Sequence, residues 1–264
     1  MNRTLWMAVL FGLGACGTTA DPAANQPAKP GAPGPADAAA LADAQRMMSG
    51  LAQKRADALE GRRFLVVPRS LLVLDKSITE WSASWWRYIL SIPSEQNPEF
   101  VASQDCALGQ SGPVFFVPGE QQDVYQRTCT IPFGEPVLVP VWSLFNDFPC
   151  PDPTFKPAPG QTLEDFLAQG ARGFDDAVTD LQATIDGTAI DLSGHRHTTD
   201  LVGFVGDPSL TATLDGCITG GAVVAVSDGW WLMTLFAPGR HDVVVTATSP
   251  AGHATSQTFH LVIH

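Results

Sequence analysis

Over residues 105–145, and again over 183–264, the chain repeats one pattern: a short run of β-branched or aromatic residues, then Gly or Pro. Pro113-Val-Phe-Phe-Val-Pro-Gly119, Arg127-Thr-Cys-Thr-Ile-Pro-Phe-Gly134 and Pro136-Val-Leu-Val-Pro-Val-Trp142 carry it first. Runs this short cannot build long helices, while Gly and Pro supply turns. The run Asp242-Val-Val-Val-Thr-Ala-Thr248 and the final Thr258-Phe-His-Leu-Val-Ile-His264 alternate as paired strands do. Asp186-Gly187, Asp215-Gly216 and Asp228-Gly229 read as tight turns, as do Pro238-Gly239 and Ala251-Gly252. The expected fold is mainly β with flanking helices (α+β): an antiparallel β-sandwich of immunoglobulin-like or jelly-roll type.

Two helices interrupt that rhythm. In residues 77–92, Ser77 and Glu80 have capping-box spacing, and Trp81, Trp85, Ile89 and Ile92 fall on one face. Trp86 and Leu90 widen the stripe, and Pro93 ends it. Such a stripe reads as core, with a saccharide-stacking platform as the alternative. A second helix is expected over 162–182, with Thr162 as cap and Leu163, Phe166, Leu167 and Phe174 on its apolar face. Gly170 and Gly173 threaten to divide it. Residues 64–74 read as a strand or extended entry, and Pro68 argues against a regular central strand.

The beginning of the chain is of another kind. Arg3 precedes a short apolar core, Leu5 to Leu13, and then come Gly14, Ala15 and Cys16. The core is too short to span a bilayer as a mature helix. Leu13-Gly14-Ala15-Cys16 resembles the lipobox of bacterial lipoproteins. That resemblance implies removal of residues 1–15, acylation of the Cys16 thiol and attachment to a membrane of the cell envelope. Gly17 after the cysteine is compatible with the outer membrane. Residues 16–36, with Pro22, Pro27, Pro30, Pro33 and Pro35, read as an extended linker. Residues 37–63 read as a surface helix or stalk. Leu41, Ala44, Met48, Leu51, Arg55 and Ala58 follow a three-four rhythm that offers self-association through 37–60. Residues 64–264 form the expected globular domain.

Charge and cysteines narrow the classes. Lys and Arg number 15 against 27 Asp and Glu, a formal charge of −12. Nucleic acid is an unsuitable partner for such a chain. With Cys16 assigned to lipid, Cys106, Cys129, Cys150 and Cys217 remain, an even set that suits an oxidising compartment. Three pairings exist, and Cys106–Cys129 with Cys150–Cys217 is favoured. The first closes a compact loop worth roughly 3 kcal/mol in the chain-entropy model. The second staples mid-chain to the C-terminal β region. No close Cys-x-x-Cys pair suggests zinc.

A second resemblance rests on Glu80-Trp81, Trp85-Trp86 and Pro93, then Asn97-Pro98, Cys106-Ala-Leu-Gly-Gln-Ser-Gly112, Arg127-Thr-Cys-Thr-Ile-Pro132, Asp228-Gly-Trp-Trp231 and Pro238-Gly-Arg-His241. Together these resemble a group of uncharacterised secreted bacterial proteins. The resemblance spans roughly residues 64–264 and implies domain extent, not activity. The spacer between Gly119 and Arg127 departs from that group's Gly-rich form.

Chemistry has few candidates. His195-Arg196-His197 in an extended segment points two imidazoles one way, which suits zinc or copper. Third ligands would be His241, His253, His260 or Asp200. Ser111 in Gly109-Gln-Ser-Gly112 is one residue short of a nucleophile elbow. Glu80, Asp105, Asp147 and Asp152 offer carboxylates without a spacing that selects a pair. Trp230 and Trp231 are an aromatic contact candidate, one on each strand face. No cofactor motif is present. The sequence therefore points to a lipid-anchored envelope protein that binds or supports, with a glycan or envelope protein as partner. A secreted, metal-dependent hydrolase is the alternative.

Overall fold

The computed structural model describes residue 59 and residues 61–119 and 123–264. The expected leader, Cys16, the linker and residues 37–58 lie outside the described residues. The fold is mainly β, with two mixed sheets and a few helices.

The first sheet is organised by β9 (Ala222–Phe236). Along one edge, β4 (Val137–Phe148) pairs antiparallel from Val137↔Thr234 to Phe148↔Val224. Along the other lie three short strands: β1 (Phe64–Val66), β7 (Arg196–Thr198) and β8 (Val202–Val205). β2 (Phe115–Phe116) runs parallel to the start of β4. The second sheet has the order β3 (Val124–Ile131), β11 (Ala254–Ile263), β10 (Gly239–Thr248), β5 (Thr179–Ile185), β6 (Thr188–Ala189). The β3–β11 pairing is parallel. The sheets are thus mixed, not wholly antiparallel as expected. A parallel pair needs a long crossover, and almost the whole domain lies between β3 and β11.

One face of the first sheet meets the second sheet through Val139, Val141 and Leu232 against Ile185, Val243, Phe259 and Leu261. Its other face carries α1 (Ile78–Leu90). The α1 capping box forms as the sequence predicts, with Ser77 and Glu80 bonding each other's backbone N–H. Trp81, Trp85 and Trp86 are all buried, so the helix offers no saccharide platform. Each indole N–H has an acceptor: Val73 O at 2.8 Å, Val117 O at 2.8 Å and Ser227 Oγ at 2.7 Å. Such partners offset the cost of taking an indole N–H out of water.

A second helix, α2 (Leu163–Asp175), packs on β4 and β9 through Leu167, Ala168 and Val226. It is shorter than expected, because β5 already begins at Thr179. It runs unbroken through Gly170, where a Cβ would collide with the Asn146 amide. A short α3 (Leu210–Thr213) follows β8. Asp228-Gly229 is not a turn but lies in the middle of β9. A Cβ on Gly229 would meet the Trp142 carbonyl and Ser143 beside the irregularity at Pro140–Trp142. Close approach of β4, not chain reversal, explains this glycine. Asp186-Gly187 is a true hairpin turn between β5 and β6, with both residues at positive φ.

Candidate functional site

Strand β7 lies along the middle of β9, with Arg196 opposite Trp230 and Thr198 opposite Asp228. Side chains alternate between its faces, so two polar groups form, one on each side of the sheet.

On the α2 side, the wholly buried Asp228 accepts from Arg196 Nε at 2.7 Å and Thr198 Oγ1 at 2.5 Å. The same guanidinium reaches Asp176 at 2.7 Å and the Arg172 carbonyl at 3.4 Å, so it holds the end of α2. It also lies over the Trp230 ring, 4.7 Å from the centroid. Asp175 is buried beside this network, with the Trp142 indole and Asp228 as its polar neighbours and no donor at close hydrogen-bonding geometry. Burial, reinforced by the Asp228 charge, pushes its pKa up to about 8. Asp175 therefore carries a proton at neutral pH while its neighbour is held by Arg196. Both carboxyls are shut off from solvent, and the group acts as a tie between α2 and the sheet.

On the α1 side lie His195 and His197. His197 is 9% exposed; its Nδ1 meets Thr79 Oγ1 at 3.1 Å and its Nε2 has no hydrogen-bond partner. His195 Nδ1 is likewise buried and unpartnered. Burial first, then the neighbouring His195 and Arg69, depress His197 to about 4; burial also lowers His195. Both rings are therefore neutral at pH 7. None of the expected third ligands joins them. His241 is fixed by Asp186 and the Ala237 carbonyl, His260 by Asp242, and His253 lies near Asp123. Asp200 is exposed just past β7. The three-residue group of metal-ligand types among the described residues is Asp147, Cys150 and Cys217, whose sulfurs are joined in a disulfide.

The remaining candidates are dispersed. Trp231 is 0% exposed and packs edge-on against Trp85 at 5.3 Å, so it cannot receive a ligand; Trp230 is half-buried under Arg196. Ser111 lies on an exposed turn held by Gln110, whose amide bonds Phe116 N and O. Glu80 belongs to the capping box; Asp105 and Asp152 each accept a backbone N–H two residues ahead. Asp147 is buried, and burial with the nearby Asp215 pushes it up to about 8. Asp215 is also raised, by burial. Asp147 is among the carboxylates the sequence offers, but its pairing with Asp215 beside the Cys150–Cys217 bridge is not legible there, nor is Asp175 or the burial of Asp228 and Arg127. Arg127 is buried under the Pro98 and Gln104 carbonyls. An aspartate before glycine reads as a turn, and nothing in the local pattern marks it as buried.

Both favoured disulfides are present, Cys106–Cys129 and Cys150–Cys217. Among the described residues, no helix is long and apolar enough to cross a membrane. Comparison with protein families, curated proteins and solved structures finds no match.

Proposed function

We propose that the protein is a lipid-anchored component of a bacterial cell envelope, acting as a binding or structural module on an immunoglobulin-like sandwich. The observation that carries this reading is the cysteine pairing. Cys106–Cys129 and Cys150–Cys217 use four of the five cysteines, which leaves Cys16 of the lipobox-like segment as the odd one. Disulfides suit an oxidising compartment, and an anchoring thiol must not be consumed by them.

The strand orders support the sandwich. In immunoglobulin-like folds strands B, E and D share one sheet and C, F and G the other. On this reading β4, β9 and the β7–β8 pair correspond to B, E and D. The order β5, β10, β11 takes the C, F and G places, with β6 and β3 as flanking strands. The titratable groups of the domain serve as internal ties in Arg196–Asp228, Arg63–Asp186 and His241–Asp186. That use fits a support or binding role.

The test is the mass of the N-terminal peptide of the full chain purified from the envelope of a diderm bacterial host. A peptide beginning at diacylglyceryl-modified Cys16, lost with Cys16→Ser, is expected. A mature chain with an unmodified Cys16 overturns the anchor.

A second reading, a metal-dependent hydrolase using His195 and His197, is favoured by their unpartnered buried nitrogens. Stoichiometric zinc or copper in the full chain, lost in His195→Ala/His197→Ala, supports it. A trace content equal in both proteins removes it.

A further inference from the structure

Residues 68–76 leave β1 and turn back to enter α1. Six large hydrophobic residues are exposed among the described residues, and Leu71 and Leu72 are the sole pair adjacent in sequence, at 53% and 63%. Burying apolar surface is the main driving force of folding, so two adjacent exposed leucines at the rim of a cavity are a candidate contact surface. The leucines border an open cavity of ≈ 260 Å³ whose other walls include Leu65, Val67, Pro136 and Leu235.

This loop is held in place. Leu71 N–H donates to Pro68 O at 3.0 Å, and Val73 and Lys76 bond each other's backbone. Trp81 Nε1 clamps Val73 O. Leu74 and Asp75 at the tip both have positive φ, 53° and 63°. Leucine rarely adopts that conformation. The apolar side chains are thus presented by a fixed turn.

The charge around the turn is opposite to that of the chain. Residues 61–76 carry Arg62, Arg63, Arg69 and Lys76 against one acid, Asp75, in a protein of net charge −12. Arg63 is engaged by Asp186 and the Arg240 carbonyl. Arg62, Arg69 and Lys76 are exposed; Lys76 Nζ lies over the Trp81 ring, 4.6 Å from its centroid, with the exposed Glu80 as a charged neighbour. A two-fold contact between copies would bring these cations together with their equivalents, which disfavours self-association here. A surface with apolar depth and negative headgroups complements both features. Screening confines the repulsion from the acidic remainder to about 10 Å.

We infer that the Leu71–Leu72 turn docks on a bilayer containing anionic phospholipid. The leucines enter the boundary between headgroups and acyl chains, and Arg62, Arg69 and Lys76 face the phosphates. The contact would orient the domain on the bilayer; it is additional to the two acyl chains of a diacylglyceryl anchor, which suffice for attachment. The inference rests on the anchored reading for its place in the cell, whereas the lipid contact itself needs no acyl chain.

The experiment uses residues 16–264 with Cys16→Ser, exported behind a cleavable leader, and flotation with unilamellar vesicles. Vesicles of phosphatidylcholine alone are compared with phosphatidylcholine and phosphatidylglycerol at three to one. Flotation with the mixed vesicles, falling as salt rises, is expected. Leu71→Ser/Leu72→Ser should weaken it by roughly tenfold or more. Arg62→Glu/Arg69→Glu, a change of exposed side chains that leaves Lys76 over Trp81, should abolish the preference for phosphatidylglycerol. Flotation with neither composition overturns the inference, as does flotation unchanged by both variants. A concentration-dependent dimer that the leucine variant dissolves, with no flotation, reassigns the turn to a second copy. The N-terminal mass decides the acyl anchor separately, so either reading can fail alone.

Discussion

Strand β7 has two faces, and they handle burial in opposite ways. On the α2 face a charge is kept: Asp228 is sealed from solvent with Arg196 and Thr198 supplying its donors. On the α1 face charge is avoided: His197 meets Thr79, and burial holds His195 and His197 neutral. A buried ion needs a partner, and a titratable group without one gives up its charge. Asp175 follows the second rule while sitting among residues that follow the first.

The sharpest way to break the contrast is Asp228→Ala, which removes the buried acceptor of Arg196 and Thr198 and leaves the part-exposed guanidinium only Asp176 as a carboxylate partner. A loss of about 3 kcal/mol in urea unfolding is expected, as for charge-assisted hydrogen bonds deprived of their buried acceptor. A loss below about 1 kcal/mol would show that the pair is solvated.

Asp175→Asn sharpens the comparison from the other side. In the folded protein Asp175 titrates at about 8, against an ordinary value of 3.8. Between those values the folded state holds a proton that the unfolded chain has released. Stability therefore falls as pH rises from about 4 through 8. The Asn variant keeps a neutral side chain throughout. It should be more stable than the parent at pH 8, by roughly 2–4 kcal/mol, and equal to it near pH 4. A thermal melt series across this range checks the sign; Asp147 adds a slope of the same direction, so part of the dependence remains.

His197→Gln retains a polar group near Thr79 and removes no charge at neutral pH. Its cost in urea unfolding should be about 1 kcal/mol, the worth of one neutral hydrogen bond. A cost equal to that of Asp228→Ala would erase the distinction between the faces. Smallest of all, Leu71→Ser/Leu72→Ser should change stability by less than about 0.5 kcal/mol, since both side chains are already exposed.

The sequence reading was most successful where a local signal matched a local cause. The Ser77–Glu80 box, the buried Trp81–Trp85 stripe and the β10–β11 hairpin around Ala251-Gly252 are of that kind; the two disulfides, across 23 and 67 residues, were legible instead from the even cysteine count. It failed where the cause was distant. Gly229 is required by β4, which is joined to β9 only through tertiary pairing, so Asp228-Gly229 imitated a turn. The parallel pairings of β2 with β4 and of β3 with β11 leave no periodic trace. Of the candidate site, the His195–His197 spacing was visible, whereas Asp175 and Asp228 depend on α2 settling beside β9.

Strand β9 has a consequence for the life of the chain before it folds. Its partners come from residues 64–66, 137–148, 196–198 and 202–205, and β3 finds its parallel neighbour only in the last residues, 254–263. Until those residues are available, the early strands have exposed edges and nothing to complete them. Non-local pairing of this kind is slow to form. A polypeptide whose residues 254–263 complete its second sheet cannot close that sheet until they have been made, so an exposed strand edge is the hazard its folding has to outrun.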